Sequence, residues 1–391
     1  MTVRVNKPAF NLREKLSELE RPIGLKGSEL MKSETVQEAR DFVSAGRKNL
    51  IINGSFLVSQ RATSVTRSSA STAMSTVDRF SAKFYGSGWG SNHSTESQST
   101  DAPPGHSYSY KVLANVVQSY SSALGSWIQY SFEGNQLLSL KTKDLGYKAF
   151  TISFWIKSNK TGYVSFSSET AGQGHSFSTA VQINTAGVWE YKTVTVPASP
   201  SSQLSETEFR STDSEFSIKW GLGSNGAWLV GTDDSWQPVA TNRGVLSPLQ
   251  TNFQAAQNDY LAISGIQLER GRNATEFEHR SYGEELALCQ RYCQSFNGRI
   301  GIGNWNNGTS ALVVRYLNPP MRIAPSIHSY TAGNCLVEAI AWYSVGSVSI
   351  QGETTNTSVV FSLNSISNSG QGANANAMWG NGASVVLQAE L

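Results

Sequence analysis

The stretch "SYGEELALCQRYCQSF" sets Cys289 and Cys293 four residues apart, with Glu284 and Glu285 just ahead and His279 shortly upstream. Thiols, carboxylates and an imidazole at such spacing are the groups that ligate zinc or carry out nucleophilic and acid–base chemistry. The details point elsewhere. Cys-x3-Cys is not the Cys-x2-Cys knuckle of structural zinc, and Cys335 stands alone in the sequence. Ser281 and Glu284 have capping-box spacing, and Leu286, Cys289 and Cys293 fall at i, i+3 and i+7 beside Leu288 and Tyr292. This pattern predicts a helix of about three turns whose cysteines pack as small hydrophobes. Glu284 and Glu285 then occupy the first turn, where the helix dipole favours carboxylates. His279 is expected at the surface. No metal site and no cofactor are expected.

Other catalytic signatures are absent. The sequence holds no G-x-S-x-G elbow, Walker A loop or H-E-x-x-H. The glycines of "GSGWGSNH" and "GLGSNGAW" do not lead into helices, so they form no phosphate cradle. Glycoside cleavage needs two carboxylates across a cleft. Glu206, Glu208, Asp213, Asp233 and Asp234 lie in polar loops and read as solvated groups. The informative residues are aromatic. Among ten tryptophans, Trp127 and Trp155 lie in strand patterns beside aliphatic residues and are expected in the core. Trp228, Trp236, Trp305 and Trp379 lie in Gly- and Asn-rich segments. An exposed indole next to an amide, such as Asn306 or Asn381, suits a sugar: the ring stacks on the apolar face of a pyranose and the amide reaches its hydroxyls. The same indoles also suit capping of a sandwich or burial at a subunit contact.

The elements that would carry these residues are read from periodicity. Residues 1–48 hold 17 charged side chains, against 43 in the other 343. Two short helices are predicted there. Asn11 and Glu14 cap one, with Leu12, Leu16 and Leu19 on one face; Thr35 and Glu38 cap the other, with Val36, Ala39 and Val43 on one face. Both are too short to stand alone, so their stripes pack on their own chain, on a partner or on further copies. Residues 49–281 read as a β-sandwich of short aromatic and β-branched strands, among them "NLIINGSF", "VDRFSAKFYG", "GSWIQYSFEG", "FTISFWIKS" and "YLAISGIQLE". Residues 282–297 form the linking helix, and 298–391 a smaller β-domain. The fold class is mainly β, with a short helical arm, a jelly-roll-like sandwich and a distal β-domain.

Composition bounds the partners. Charged residues make up 15% of the chain and the net charge is +2, so neither nucleic acid nor a membrane surface is implied. Three cysteines are no disulfide framework. "MTVRVNKPAFNLREKL" has no apolar core of a signal peptide, and no apolar run reaches about 18 residues, so neither secretion by that route nor membrane insertion is expected.

The order and spacing of "NLIINGSFLVSQR", "VDRF", "APPGHSYSYKV", "FTISFWIKS", "EYKTVTVP" and "YLAISGIQLERGRNATEFEHRSYGEELALCQRYCQ" resemble a sandwich family of bacteriophage tail fibres and related virion proteins, over residues 49–294. In that family the sandwich is similar to carbohydrate-binding modules, and the helix leads into a distal β-domain. "NPPMRIAPSI" and "LQAEL" resemble the start and the last strand of that domain, and "SETVQEARDFVSAG" resembles the helical segment before fibre domains. The resemblance implies a non-enzymatic homotrimeric fibre of the virion, assembled in the host cytoplasm. Its arm would be held by other virion proteins, and its β-domains would contact host-surface glycan. "YLAISGIQL" lacks the acidic calcium ligand of carbohydrate-binding relatives, so calcium is not expected. The rival readings are a purely structural capsid- or tail-attached fibre and, further off, a glycan depolymerase.

Overall fold

A computed structural model describes residues 48–391 apart from 72, 121–123, 171–173, 201–204, 225, 230–231, 240–244, 308, 338–340 and 368–375. The arm residues Leu12, Leu16, Leu19, Val36, Ala39 and Val43 lie outside the described residues. The chain divides between Lys48 and Asn49.

The protein is mainly β. In chain order the sandwich strands are β1 (Ser64–Arg67), β2 (Phe80–Tyr85), β3 (Ser94–Ser99), β4 (Ser109–Ala114), β5 (Gly125–Glu133) and β6 (Phe150–Ser158). They continue with β7 (Gly162–Thr170), β8 (His175–Ile183), β9 (Glu190–Val196), β10 (Ser214–Ser224), β11 (Trp236–Pro238) and β12 (Tyr260–Arg270). Two six-stranded antiparallel sheets result, ordered β1-β3-β4-β12-β6-β9 and β11-β8-β7-β10-β5-β2. Period-2 alternation decides which side chains meet between them. β6 turns Phe150, Ile152, Phe154 and Ile156 inward, all fully buried. Opposite them, β2 contributes Phe80, Ala82 and Phe84, and β10 contributes Phe216, Ile218 and Trp220. The Phe154 and Trp220 rings meet edge to face at 5.5 Å. The Ala82 amide donates to the Tyr110 hydroxyl of the other sheet at 2.9 Å, tying the layers together.

The segment "NLIINGSF" is not the strand its apolar run predicts. Asn53 and Phe56 have φ of 63° and 56°, outside the β region. The buried Asn53 amide donates to the carbonyls of Val58 and Asp78 and accepts from the Val58 amide, which replaces a strand ladder with a side-chain-centred loop. A Cβ on Gly54 would sit 2.2 Å from the Ile266 carbonyl oxygen, so this close approach of the loop to β12 requires glycine.

A one-turn helix, α1 (Glu206–Phe209), lies between β9 and β10. The linking helix α2 is shorter than predicted, Tyr282–Gln290. Its Ser281–Glu284 capping box forms as expected. Cys289 is buried with Ile52, Val58 and Tyr292, but Cys293 opens a strand, β13 (Cys293–Asn297), that pairs with β22 (Ser384–Gln388). The strand ladder and the Tyr292 hydroxyl bond to Glu133 fix residues 292–297 better than another helical turn would. All three cysteines are free and buried.

The distal strands between these two are β14 (Gly301–Asn307), β15 (Ser310–Tyr316), β16 (Ser326–Thr331), β17 (Asn334–Val337) and β18 (Ala341–Ser344), then β19 (Ser347–Ile350), β20 (Ser358–Asn364) and β21 (Asn376–Gly380). They form a three-stranded sheet, β13-β22-β16, and a seven-stranded sheet, β18-β17-β21-β14-β15-β20-β19. The core includes Trp305, Val313, Phe361 and Trp379. At the junction with the sandwich, Glu390 accepts from Arg61 at 2.9 Å and Arg79 at 2.6 Å. Arg79 lies against the Tyr292 ring, 3.6 Å from its centroid. Among the described residues, no helix is long and apolar enough to cross a membrane.

Candidate functional site

The face of the first sheet turned away from the core is built by the residues that alternate with the buried ones. On β6 these are Thr151, Ser153, Trp155 and Lys157; on β9, Tyr191, Thr193 and Thr195. Register places Trp155 opposite Tyr191, with ring centroids 5.4 Å apart. Tyr191 is 47% exposed and Trp155 half-buried. Just before β9, the Trp189 indole N–H donates to Asp101 Oδ1 at 3.1 Å. Lys157 donates to both Asp101 oxygens at 3.0 and 2.8 Å and lies 5.8 Å from the Trp189 ring centroid.

On the other side of Trp155, β12 carries a bulge between Ser264 and Gln267. Gly265 within it has φ +58°, and a Cβ there would meet His106 Nε2 at 2.6 Å and Trp155 Cδ1 at 3.0 Å. The bulge thus brings His106 beside Trp155. His106 continues into an aromatic cluster with Phe277 at 4.8 Å and His279 at 5.5 Å. The result is a band of Trp189, Tyr191, Trp155, His106, Phe277 and His279 running along one sheet face. One row on, Lys111 lies 4.2 Å from the Tyr260 ring centroid.

Two titratable groups at this face depart from their ordinary values. Burial, and then the neighbouring His279, push His106 down to about 4, so it is neutral at ordinary pH. Burial works against the Asp101 carboxylate, but the Lys157 and Trp189 hydrogen bonds outweigh it and hold the carboxyl below its usual range. Asp101 is therefore an acceptor there and a poor proton donor. Among the described residues, no group of three or more His, Cys, Asp or Glu side chains is placed to hold a metal ion. Aromatic faces with neutral imidazole, hydroxyl and fixed-charge neighbours equip the surface to stack and hydrogen-bond a hydroxylated ligand.

The tryptophans singled out by sequence context lie elsewhere. Trp305 is in β14 at 1% exposure and Trp379 in β21 at 0%, so neither offers a face to a ligand. Their Gly- and Asn-rich flanks lie largely in paired strands, with a bend at Asn381–Gly382: at Gly303 a Cβ would lie 2.0 Å from the Leu312 carbonyl oxygen. The Trp379 indole N–H donates to the Ala332 carbonyl at 2.7 Å. Asn306 and Asn381 are exposed, but the neighbouring indoles are buried in the core. Trp228 is buried with Trp127, Val245 and Leu246 in a small cluster on the outer side of the second sheet. Trp236 is half-buried at the sandwich edge, its N–H donating to the Pro197 carbonyl at 2.9 Å. The six candidates are not brought together.

The loop carboxylates fall in two places, Glu208 and Asp213 both near Glu215, and Asp233 beside Asp234 in another loop. Asp233 accepts from the Ser247 hydroxyl at 2.5 Å, Glu208 caps α1, and Asp213 faces Arg322. The aliphatic neighbours of Trp155 predict it in the core. A strict alternation count sets it instead with Thr151, Ser153 and Lys157 on the polar face. His106 and Phe277 carry no such signal, because separate loops deliver them.

No family model matches the chain, and no curated protein matches it. Solved structures with some likeness include the enzymatically active domain of bacteriophage CBA120 tailspike protein 4, at 11% identity and TM-score 0.27, covering 57% of this chain and 21% of that one. A family 11 carbohydrate-binding module of a cellulosomal cellulase from Clostridium thermocellum shows 10% identity and TM-score 0.27, covering 55% and 98%. An agarase, AgWH50C, shows 10% identity and TM-score 0.25, covering 63% and 36%. The chain thus spans about a fifth of the tailspike domain's length.

Proposed function

We propose that residues 49–281 form a glycan-binding module that binds without cleaving, and that its contact surface is the face of Trp155, Tyr191 and Trp189. The observation that carries this reading is the half-exposed aromatic band, set among sheet hydroxyls and a fixed Asp101–Lys157 pair. A pyranose stacks on such rings through its C–H face while hydroxyl, carboxylate and ammonium groups reach its hydroxyls. The Asp101 carboxylate on this face is held in its charged form and serves as an acceptor. In the wider setting implied by the tail-fibre resemblance, the chain is a homotrimeric virion fibre held by its N-terminal arm. Weak individual sugar contacts become firm attachment when several copies engage one surface.

The test is a glycan array with the full chain, followed by calorimetry on any hit. Trp155→Ala and Tyr191→Ala are expected to weaken binding at least tenfold, while Trp228→Phe leaves it unchanged. Retention of full affinity in both alanine variants, or a blank array, would overturn the assignment. Release of reducing ends from a bound polysaccharide would overturn the non-enzymatic part alone.

A further inference from the structure

The outward face of the seven-stranded distal sheet carries a row of apolar side chains in register. Trp342 pairs with Leu336, Leu336 with Met378, Met378 with Ile302, Ile302 with Val314, and Val314 with Val360. The row crosses six adjacent strands, β18, β17, β21, β14, β15 and β20, without a polar interruption. It is distinct from the inward set of Cys335, Trp379, Val313 and Phe361, which fills the core. Ile302 is 70% exposed and Trp342 37%; Tyr316, two residues along β15 from Val314, is 80% exposed. In a solvated sheet these outward positions would be polar. On the outer face of the first sandwich sheet, by contrast, the aromatic residues are set among Thr193, Thr195 and Lys157.

We infer that this face is an interface between copies of the chain. Charge selects the occupant. None of the described outward residues on these six strands is charged; the neighbours of the row are Asn304, Asn376, Ser358 and Ser362. Arg315, the cation of β15, is turned to the other side, over the Phe296 ring at 4.5 Å. A nucleic acid, an anionic membrane or a charged peptide finds no complement here, whereas an identical face meets no like-charge repulsion. Shape agrees. The row runs across the strands with apolar residues on both sides of Ile302, so copies gathered round one axis set apolar against apolar. Size agrees as well. Seven strands at the usual spacing give a face about 30 Å wide and about 20 Å long. That is roughly 600 Å² per copy before rim loops are added, close to the roughly 800 Å² per partner of a stable interface.

This inference does not depend on what the sandwich binds. It is tested on the full chain with Ile302→Cys and a short bis-maleimide, the native thiols being buried. Covalent dimers are expected, at several times the yield from Val188→Cys, an exposed position on the sandwich. In parallel, Ile302→Lys is expected to at least halve the sedimentation mass at micromolar concentration while leaving the circular dichroism unchanged. A dimer yield from Ile302→Cys no greater than from Val188→Cys would overturn the inference. So would an Ile302→Lys variant that sediments with the native mass, or a native chain that is already a monomer.

Discussion

Replacing Glu390 with glutamine tests what holds the sandwich to the distal domain. The residue is next to last in the chain, yet its carboxylate is buried and takes hydrogen bonds from Arg61 and Arg79, both buried. Burial opposes its charge, but the two guanidinium groups outweigh that and hold the carboxyl below its usual range. Glu390→Gln keeps the shape and removes the charge, leaving two buried cations with less than they need. Breaking a buried pair this way costs about 3–5 kcal/mol, against at most about 1 for a surface pair. The sign with pH follows from the lowered value. The contribution is present at neutral pH and is lost as acid protonates the folded carboxylate. Urea unfolding followed by tryptophan fluorescence at pH 7 is expected to show the large loss, shrinking in acid. In a double-mutant cycle, Arg61→Met is expected to cost less in the glutamine background than in the native one. A loss below about 1 kcal/mol at pH 7 would refute the reasoning, because it would mean that Asp78 and the Ser131 carbonyl satisfy the arginines without Glu390.

Two further outcomes follow from the same structure. Burial pushes Asp78 up to about 6 despite the opposing pull of Arg61. Because the folded value is raised, ionised Asp78 weakens the fold at neutral pH, and the penalty disappears as the pH falls towards 4. Asp78→Asn is therefore expected to gain about 3 kcal/mol relative to the native chain between pH 4 and pH 8; a difference that does not vary with pH in urea titrations would contradict this. Trp305→Ala is expected to cost about 3–5 kcal/mol as a core truncation, while Trp155→Ala on the sheet face costs less than about 1. Equal losses in thermal or urea unfolding would mean that the inside and outside of these strands have been misassigned.

Much of the fold was legible because two signals are local. Alternation in "VDRFSAKFYG" and "FTISFWIKS" gives strands and their inward residues, since side chains point to opposite faces at every step. The capping pair Ser281–Glu284 marks the start of α2, because it satisfies backbone donors within one turn. The end of α2 was not legible: Cys293 continues the helical stripe, and only its partner strand, some 90 residues away in sequence, draws it into a ladder. Trp305 and Trp379 read as loop residues because glycine and asparagine usually mark loops. Here glycine serves close strand approach, which is visible only once β14 and β15 are paired. The aromatic band is of the same kind. Trp155 and Tyr191 face outward by a parity that the sequence contains, but His106 joins them through a bulge in β12, and Trp189 is fixed by an aspartate 88 residues away. Sequence alone determined most of the strands and the alternation along them. Which distant side chains share a surface was decided by sheet register and strand order, because those depend on free energies summed over the whole fold.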